Sequence, residues 1–380
     1  MMCAHLNSCI DTGNHLECLR AAFVRRSEAW WVSYVREQIS TEKDINAIVD
    51  LLKKVASSKK QKLSDIKLIV NDTANLSKIK NTDGIQVITV NFYRMLTYYH
   101  KYHAKHRDYP NKIGQQFNNE YAARENKALF LMGKPYQPHR TPVLVELFER
   151  GLKDKLVYSW NPGRQSSEVF KATEFWVREL VGENYDFKNF ARLHACKLDI
   201  PDHVPLFDLG ETCYHYTGFP FDVNLYCDTA LSIVSETNHI NTLDTSLPWT
   251  TEKIWKAIAN HHPFVVIGEP GIVTKIRSLG YETWDSFLKH DQYEANKFWD
   301  VNCKKAISMN VDNVEYFLNQ NKHRNTIKSL AKKNADLMDE QVRNEINSIF
   351  DNDTDLFEQF MRNVRYPNLV EGKGIKDIGW

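Results

Sequence analysis

The chain has 380 residues, of which 42% are apolar and 12% aromatic, and this length suits two domains of ordinary size with packed cores. The formal net charge of +1 excludes a strong overall attraction to nucleic acid, and no apolar run is long enough to span a bilayer. The amino-terminal stretch lacks the basic-then-apolar order of a signal peptide, and the seven cysteines are odd in number and irregularly spaced. We therefore expect a cytoplasmic protein with reduced thiols.

The amino-terminal third is predicted to mix helices and strands. Residues 16–60 are predicted to be mostly helical, with a tryptophan pair and a lysine-rich end. The run DIKLIVND over residues 65–72 predicts a strand that ends in polar residues, and IQVITVN over 85–91 predicts a second strand. The segment 92–112, rich in Tyr, His and basic residues, predicts a helix.

The second half is predicted to continue the alternation of strand and helix. Apolar, β-branched runs mark its strands, and helical spacing of apolar residues marks its helices. In chain order we predict a strand and loop over 126–140, a helix over 141–152, a strand over 155–160, a strand over 231–237, a helix from about 250, a strand over 264–268 and a helix from 272. Residues 161–222 are predicted to be irregular, and the chain after residue 292 largely helical.

Strand and helix alternate on both sides of about residue 125. This pattern predicts an α/β protein with two domains and a cleft between them. We place an amino-terminal α/β domain at 1–125 and a second α/β domain at 126–300. A helical carboxyl-terminal segment at 301–380 is expected to pack back across both domains.

The stretch PWTTEKIWKAIANHHPFVVIGEPG, residues 248–271, has the most informative local pattern. Pro248 marks the entry to a helix, and the hydroxyl of Thr250 or Thr251 is placed to cap it. The run FVVIG predicts a strand buried on both faces, and a glycine turn follows it. A helix amino terminus attracts anions such as phosphate, and Lys253 adds a positive charge there. The alternative is a capped helix whose first-turn charges are solvated.

Three polar clusters follow predicted strands of the second domain. They cover residues 133–140, 235–239 and 250–253. Because the carboxyl ends of parallel strands meet at one edge of a sheet, we expect the clusters to lie together. The guanidinium of Arg140 could fork onto a phosphate, and Glu236 and Glu252 could accept hydrogen bonds from hydroxyls. The set suits a nucleotide diphosphate; without the other two clusters, Arg140 would be a surface arginine at a helix start.

Three segments, LFLMGKPYQPHRTPVLVELFERGL, IVSETNH and PWTTEKIWKAIANHHPFVVIGEPG, resemble in this order the nucleotide-sugar glycosyltransferases of the two-Rossmann, GT-B type. The pattern is similar to that of the α-1,3-fucosyltransferases, in which a loop carries a phosphate-binding arginine, a FEN strand end follows, and TEK opens a helix. It resembles more closely a set of uncharacterised glycosyltransferase-like proteins of tailed phages and large viruses, whose later segment matches KIRSLGYETWDSF here. The resemblance covers about residues 127–293 and is most specific over 250–271.

The resemblance implies two Rossmann-like domains that face each other across a cleft, with the nucleotide sugar bound in residues 126–300 and the acceptor on residues 1–125. It implies a UDP- or GDP-sugar donor and no required metal. The donor residues that it implies are Gly133, Lys134 and Arg140 in the first cluster, Glu236 and Asn238 in the second, and Thr251, Glu252 and Lys253 in the third. Arg140 would lie at the diphosphate. SETNH stands where the fucosyltransferases have Phe-Glu-Asn. The resemblance therefore does not tell which of the two nucleotides, or which sugar, the donor carries.

An inverting enzyme of this kind needs a base that takes the proton of the acceptor hydroxyl. That base should come from the amino-terminal domain, and Asp72 is our candidate because it ends a strand at the edge of the cleft. The alternative role for Asp72 is to cap the turn with Thr73. His103 and His106 are weaker candidates for the base.

The sequence leaves the acceptor open. The phage relatives suggest a hydroxymethylated base in DNA, for which an enzyme needs a basic track and aromatic contacts. The residues offered for that role are the run Lys53–Lys62 and, in the helix over 92–112, Tyr98, Tyr99, Lys101, Tyr102, Lys105 and Arg107. The alternatives are a glycan or protein acceptor, and a non-catalytic protein that binds a nucleotide sugar or serves as a structural interaction module. The oligomeric state does not follow from the sequence.

Overall fold

The protein has an α/β structure with two separate sheets. The computed structural model describes residues 3–6, 20–26, 29–34, 42–72, 79, 82–102, 125–132, 135, 137–160, 167–196, 223–236, 248, 250–290, 301–319 and 324–365.

The first sheet has five strands that follow one another in space as they do in the chain. They are β1 (Cys3–Leu6), β2 (Arg20–Arg26), β3 (Ala29–Tyr34), β4 (Ile66–Asn71) and β5 (Gln86–Val90). The pairs β1–β2 and β2–β3 are antiparallel, whereas β3–β4 and β4–β5 are parallel. Helix α1 (Glu42–Ser58) connects β3 to β4, and α2 (Phe92–Tyr102) follows β5.

The prediction of a mostly helical segment over 16–60 is wrong for residues 20–26 and 29–34, which form β2 and β3. Trp30 and Trp31 explain the difference, because they are both buried but belong to cores on opposite faces of the sheet. Alternate side chains of a strand point to opposite faces, so a consecutive pair of buried aromatics fits a strand covered on both sides.

The second sheet has four strands, all parallel, in the order β7–β6–β8–β9. Its elements in chain order are β6 (Glu125–Leu131), α3 (Arg140–Glu149), β7 (Leu156–Ser159), α4 (Ser167–Leu180), α5 (Phe187–His194), α6 (Val223–Cys227), β8 (Thr229–Ser235), α7 (Glu252–Ala259), β9 (Phe264–Ile267) and α8 (Ile272–Ser278). The strands predicted here, and those predicted at β4 and β5, are confirmed.

The expectation of irregular structure over 161–222 is wrong where the structure describes that segment, because it contains α4 and α5. In α4 the half-buried Phe170 and the buried Thr173 and Val177 recur at helical spacing. Asp186 caps α5 by accepting a hydrogen bond from the backbone N–H of Asn189 at 3.1 Å.

Three helices complete the described chain: α9 (Val301–Leu318), α10 (Arg324–Phe350) and α11 (Thr354–Arg365). Helix α10 contributes to two cores. Ile327 and Met338 pack into the core of the second sheet, whereas Ile346 and Phe350 pack with α2 and α11 against the first sheet. Helix α1 covers the other face of the first sheet. Within the described residues, no helix combines the length and apolar character needed to cross a membrane.

Candidate functional site

The order of the strands in the second sheet defines where a ligand is expected. The chain passes from β6 outward to β7 on one side and then to β8 and β9 on the other. Adjacent parallel strands whose connections leave in opposite directions open a crevice at their carboxyl ends, and doubly wound proteins bind ligands there. In this protein the crevice lies between β6 and β8, where the chain enters α3 after β6 and where β8 ends at Ser235 and Glu236.

Arg140, the first residue of α3, lies beside the carboxyl end of β8. Its side chain is buried, and Nη2 donates hydrogen bonds to the carbonyl oxygens of Ser235 at 3.3 Å and Glu236 at 3.1 Å. His139 Nε2 lies 3.0 Å from the same Glu236 carbonyl, and the tautomer with its proton on Nε2 donates to it. The arginine predicted at the diphosphate therefore also holds the carboxyl end of β8.

Glu236 connects β8 to the start of α7. Its side chain is fully buried, and its two carboxylate oxygens accept from the backbone N–H of Thr251, each at 3.2 Å. The Thr251 hydroxyl donates to the same carboxylate. Burial raises the pKa of Glu236 above its ordinary value, although the charge of Lys253 and the hydrogen bonds from Thr251 act in the opposite direction.

The start of α7 is therefore already occupied by a carboxyl group of the protein. Thr251 occupies the capping position, but its hydroxyl donates to Glu236 and makes no capping bond to the helix backbone. In place of the expected cap, the Glu236 carboxyl group accepts the backbone N–H of Thr251 at the helix start.

Lys253 and Glu252 lie half-buried at the same helix start. Lys253 Nζ donates to the Thr251 hydroxyl and to Glu252 Oε1, in both cases at 3.0 Å. Burial opposes the charged form of Glu252, but the charges of Lys253 and Lys256 outweigh it and lower the pKa of Glu252 to about 2. Arg140, Glu236, Thr251 and Lys253 thus form one continuous chain of contacts, which we call the β8–α7 network.

Asp72 approaches this network from the first sheet. It follows β4, and its Oδ2 lies 3.0 Å from the Nζ of Lys275, which is buried in α8. Asn91, just after β5, donates through Nδ2 to Asp72 Oδ2 at 3.0 Å and to the Thr250 hydroxyl at 2.9 Å. We call Asp72, Asn91, Thr250 and Lys275 the inter-sheet bridge.

The inter-sheet bridge also reaches the chain before α7. Lys275 Nζ donates to the carbonyl oxygen of Pro248 at 3.0 Å. Because Thr250 belongs to the bridge and Thr251 to the β8–α7 network, two consecutive residues connect the ends of both sheets.

The sequence prediction did not include Asn91 or Lys275. Asn91 could have been found, because it is a polar residue at the carboxyl end of a correctly predicted strand. Lys275 lies within α8, and only the folded arrangement brings it to Asp72.

Several predicted residues lie outside the part of the chain that the structure describes. These are Gly133, Lys134 and Asn238 of the donor set, Thr73 as the alternative partner of Asp72, and the weaker base candidates His103 and His106.

Beside the inter-sheet bridge, α2 is tied to α10 and α7 by Arg94. Its Nη1 donates to Gln341 Oε1 at 2.6 Å, and Nη2 forms an ion pair with Glu345. The guanidinium also lies over the ring of Trp255 in α7, at 5.5 Å from the centroid. Burial raises the pKa of Glu345, although Arg94 opposes that rise.

The aromatic and basic residues of α2 that were predicted to contact DNA are not part of the β8–α7 network or the inter-sheet bridge. Tyr98 and Tyr99 are buried in the core beneath α2, and Lys101 is buried in an ion pair with Asp339 at 2.8 Å. Tyr102 also donates to Asp339, while Lys105 and Arg107 are not among the described residues.

The basic run Lys53–Lys62 lies at the far end of the first sheet from Asp72. It surrounds the end of α1, where the chain leads into the amino end of β4, and Lys53 pairs with Asp83 at 2.6 Å. Asp72 follows the carboxyl end of that six-residue strand, a separation of about 20 Å along β4.

Within the described residues, no group of three His, Cys, Asp or Glu side chains is placed to hold a metal ion. Comparison of the chain with models of known families, with curated proteins and with solved structures found no match.

Proposed function

We propose that the protein is a glycosyltransferase, which moves a sugar from a nucleotide-diphosphate sugar to an acceptor hydroxyl. The observation that carries the proposal is the β8–α7 network, which joins residues of all three predicted clusters at the carboxyl ends of β6 and β8. Lys253 and Glu252 are partly exposed at this end of the sheet, and a cation beside an ionised carboxylate suits a diphosphate and the hydroxyls of its nucleotide.

In this proposal the second sheet binds the UDP- or GDP-sugar and the first sheet faces it in a GT-B-type arrangement. Lys253 contacts the phosphates, because it is a partly exposed cation at the start of α7. Glu252 accepts from the ribose hydroxyls, since the lysines beside it keep its carboxylate ionised at neutral pH. Gly133, Lys134 and Asn238 belong to the proposed donor set through the resemblance described above.

The proposed step is a direct displacement with no required metal. The acceptor oxygen forms a bond to the anomeric carbon of the sugar, and its proton passes to the carboxylate of Asp72. The bond from the anomeric carbon to the diphosphate breaks, and its electron pair leaves with the diphosphate oxygen. Arg140 and Lys253 stabilise the charge that develops on this leaving group.

We propose that the acceptor is a hydroxyl of a glycan or protein, in preference to a hydroxymethylated base in DNA. Tyr98, Tyr99 and Lys101 of α2 are buried, whereas Tyr102 is 43% exposed and donates to Asp339. The lysine run is remote from Asp72. Salt dependence separates the two, because affinity for DNA falls steeply as salt rises whereas that for a neutral glycan does not. Binding of a nucleotide sugar without transfer or hydrolysis would instead favour a non-catalytic binding protein.

The test begins with thermal shifts against UDP, GDP and their sugar conjugates, since a ligand that binds only the native state raises the melting temperature. The nucleotide that produces a shift is then titrated against Lys253→Ala and the matched control Lys256→Ala, one turn further along α7. We expect Lys253→Ala to weaken binding about tenfold, in line with the loss of one charge-assisted hydrogen bond.

We expect Lys256→Ala to change the affinity much less, although it removes the same charge from the same helix. Equal weakening in both variants would show that Lys253 acts only through the net charge and does not contact the phosphates. The absence of a thermal shift with every nucleotide would contradict the proposed function.

A further inference from the structure

In the inter-sheet bridge, the two polar atoms of the Asn91 side chain have different partners. Asn91 Oδ1 accepts from the backbone N–H of Arg94 at 3.0 Å and so caps α2. Its Nδ2 donates at once to Asp72 Oδ2 and to the Thr250 hydroxyl. The oxygen thus serves the helix, whereas the nitrogen serves the contact between the two sheets.

The position of Asp72 is fixed from two sides through the same oxygen. Lys275 reaches Oδ2 from α8 and Asn91 reaches it from the end of β5, both at 3.0 Å. Asn91 is 3% exposed and Lys275 8%, so both donors of these bonds are buried. The amide of Asn91 therefore sets the distance between the Asp72 carboxylate and Thr250.

Thr250 passes this constraint to the donor side. The next residue, Thr251, donates its N–H and its hydroxyl to Glu236, and its hydroxyl accepts from Lys253. A shift of Thr250 would move the peptide that carries the Thr251 N–H, because the two residues share that peptide bond.

We propose that Asn91 is a positioning residue, which holds the Asp72 carboxylate in register with the donor site through Thr250. This inference rests on the proposed function, in which Asp72 takes the proton of the attacking hydroxyl. Misplacement of a reacting group by about 1 Å can cost on the order of a hundredfold in rate, so loss of the Nδ2 bonds should slow the chemical step while donor binding persists.

The experiment uses variants that separate the two roles of Asn91. Asn91→Ser keeps a side-chain oxygen that can cap α2, but it is too short to bridge Asp72 and Thr250. Thr250→Val removes the acceptor on the other side of the bridge at similar volume, and Thr250→Ser restores a hydroxyl. Each is compared with the wild-type full chain for binding of UDP and GDP and for hydrolysis of UDP-glucose and GDP-fucose, in which water replaces the acceptor.

We expect kcat for diphosphate release to fall at least about tenfold in Asn91→Ser and Thr250→Val, with the Kd for the diphosphate changed less than about twofold. Thr250→Ser should regain most of the wild-type rate. The double variant should be little slower than either single one, because both remove the same connection.

Wild-type kcat in Asn91→Ser, or a kcat that falls only as much as donor affinity does, would overturn the positioning role and leave the proposed function intact. A wild-type protein that neither binds nor hydrolyses any of these nucleotides would overturn both. Unchanged melting temperatures of the variants confirm that the comparison is made on folded protein.

Discussion

Glu236 and Glu252 lie at the same end of α7, yet their surroundings move their pKa values in opposite directions. Glu236 is enclosed, and burial is the largest influence on its pKa, which rises. Glu252 has Lys253 and Lys256 beside it, and its pKa falls to about 2. The two carboxylates should therefore contribute to stability over different ranges of pH.

The first prediction concerns Glu236. Because its pKa is higher in the folded state, its favourable contribution is complete below the ordinary carboxyl pKa of 4.5 and is lost as pH rises through the folded value. Glu236→Gln cannot ionise and avoids this loss. We expect the melting temperature of the variant, relative to the wild type, to rise as pH increases from 4.5 to 8 in a thermal-denaturation series.

Glu252→Gln provides the matched contrast, since its parent carboxylate has a lowered pKa. Charged Glu252 stabilises the fold above pH 4.5, and that contribution is lost as pH falls toward 2. The melting temperature of this variant should fall below the wild-type value at neutral pH and approach it in acid. Parallel pH profiles for the two variants would contradict the assignment of opposite shifts.

The turn before α8 shows how a local backbone feature supports the site. Gly271 has a φ of +95°, and a Cβ at this position would lie 3.3 Å from Cγ of Pro248. Pro248 in turn accepts the hydrogen bond from Lys275. The glycine therefore allows the chain before α7 to pass close to the start of α8.

We predict that Gly271→Ala lowers the free energy of unfolding by at least about 1–2 kcal/mol, the cost of the left-handed conformation for a residue with a Cβ. Urea denaturation measures the change. Gly151→Ala has a φ of +72° but no atom within 4 Å of the added carbon, so it should show the backbone cost alone. Gly182→Ala, with open space and no positive φ, should change stability little.

If Gly271→Ala and Gly151→Ala lose the same free energy of unfolding, the contact between the added Cβ and Pro248 does not destabilise the fold. A large loss in Gly182→Ala would instead indicate that alanine at any of these turns is harmful.

Strands β4, β5, β8 and β9 were predictable because each is a short apolar, β-branched run with a polar or glycine end. The same rule located Glu236 and Asp72, since both follow such a run. Strands β2 and β3 were missed, although the consecutive buried tryptophans of β3 fit a strand covered on both faces. The partners Lys275 and Glu345 could not be predicted, since they reach their contacts from helices far along the chain.

Helix α10 packs against both sheets. Its first half packs into the core of the second sheet through Ile327 and Met338, and its second half covers the first sheet through Ile346. At its end, the carbonyl oxygen of Ile349 accepts from Trp31 Nε1 and from Lys67 Nζ, both at 2.8 Å. Loss of packing at one end of this helix should therefore destabilise both cores.

We predict that Ile346→Ala costs about 2–5 kcal/mol of stability, as truncation of a buried aliphatic side chain usually does. Hydrogen exchange should then show lower protection in β8 as well as in β4. Ile48→Ala on α1 is the matched control, because its core lies on the other face of the first sheet. It should lower protection in β4 with a smaller effect on β8, and a loss confined to β4 in Ile346→Ala would contradict the coupling through α10.

A gene divided between residues 102 and 125 would yield an amino-terminal fragment without α10 and α11. That fragment would expose Trp31, Met95 and Tyr99, which Ile349 and Phe357 help to cover in the intact protein. A bare apolar surface of this kind promotes association, so the fragment made alone should aggregate. Co-expression with the remaining chain should restore it as a soluble heterodimer, because the two ends of the polypeptide complete one another's fold.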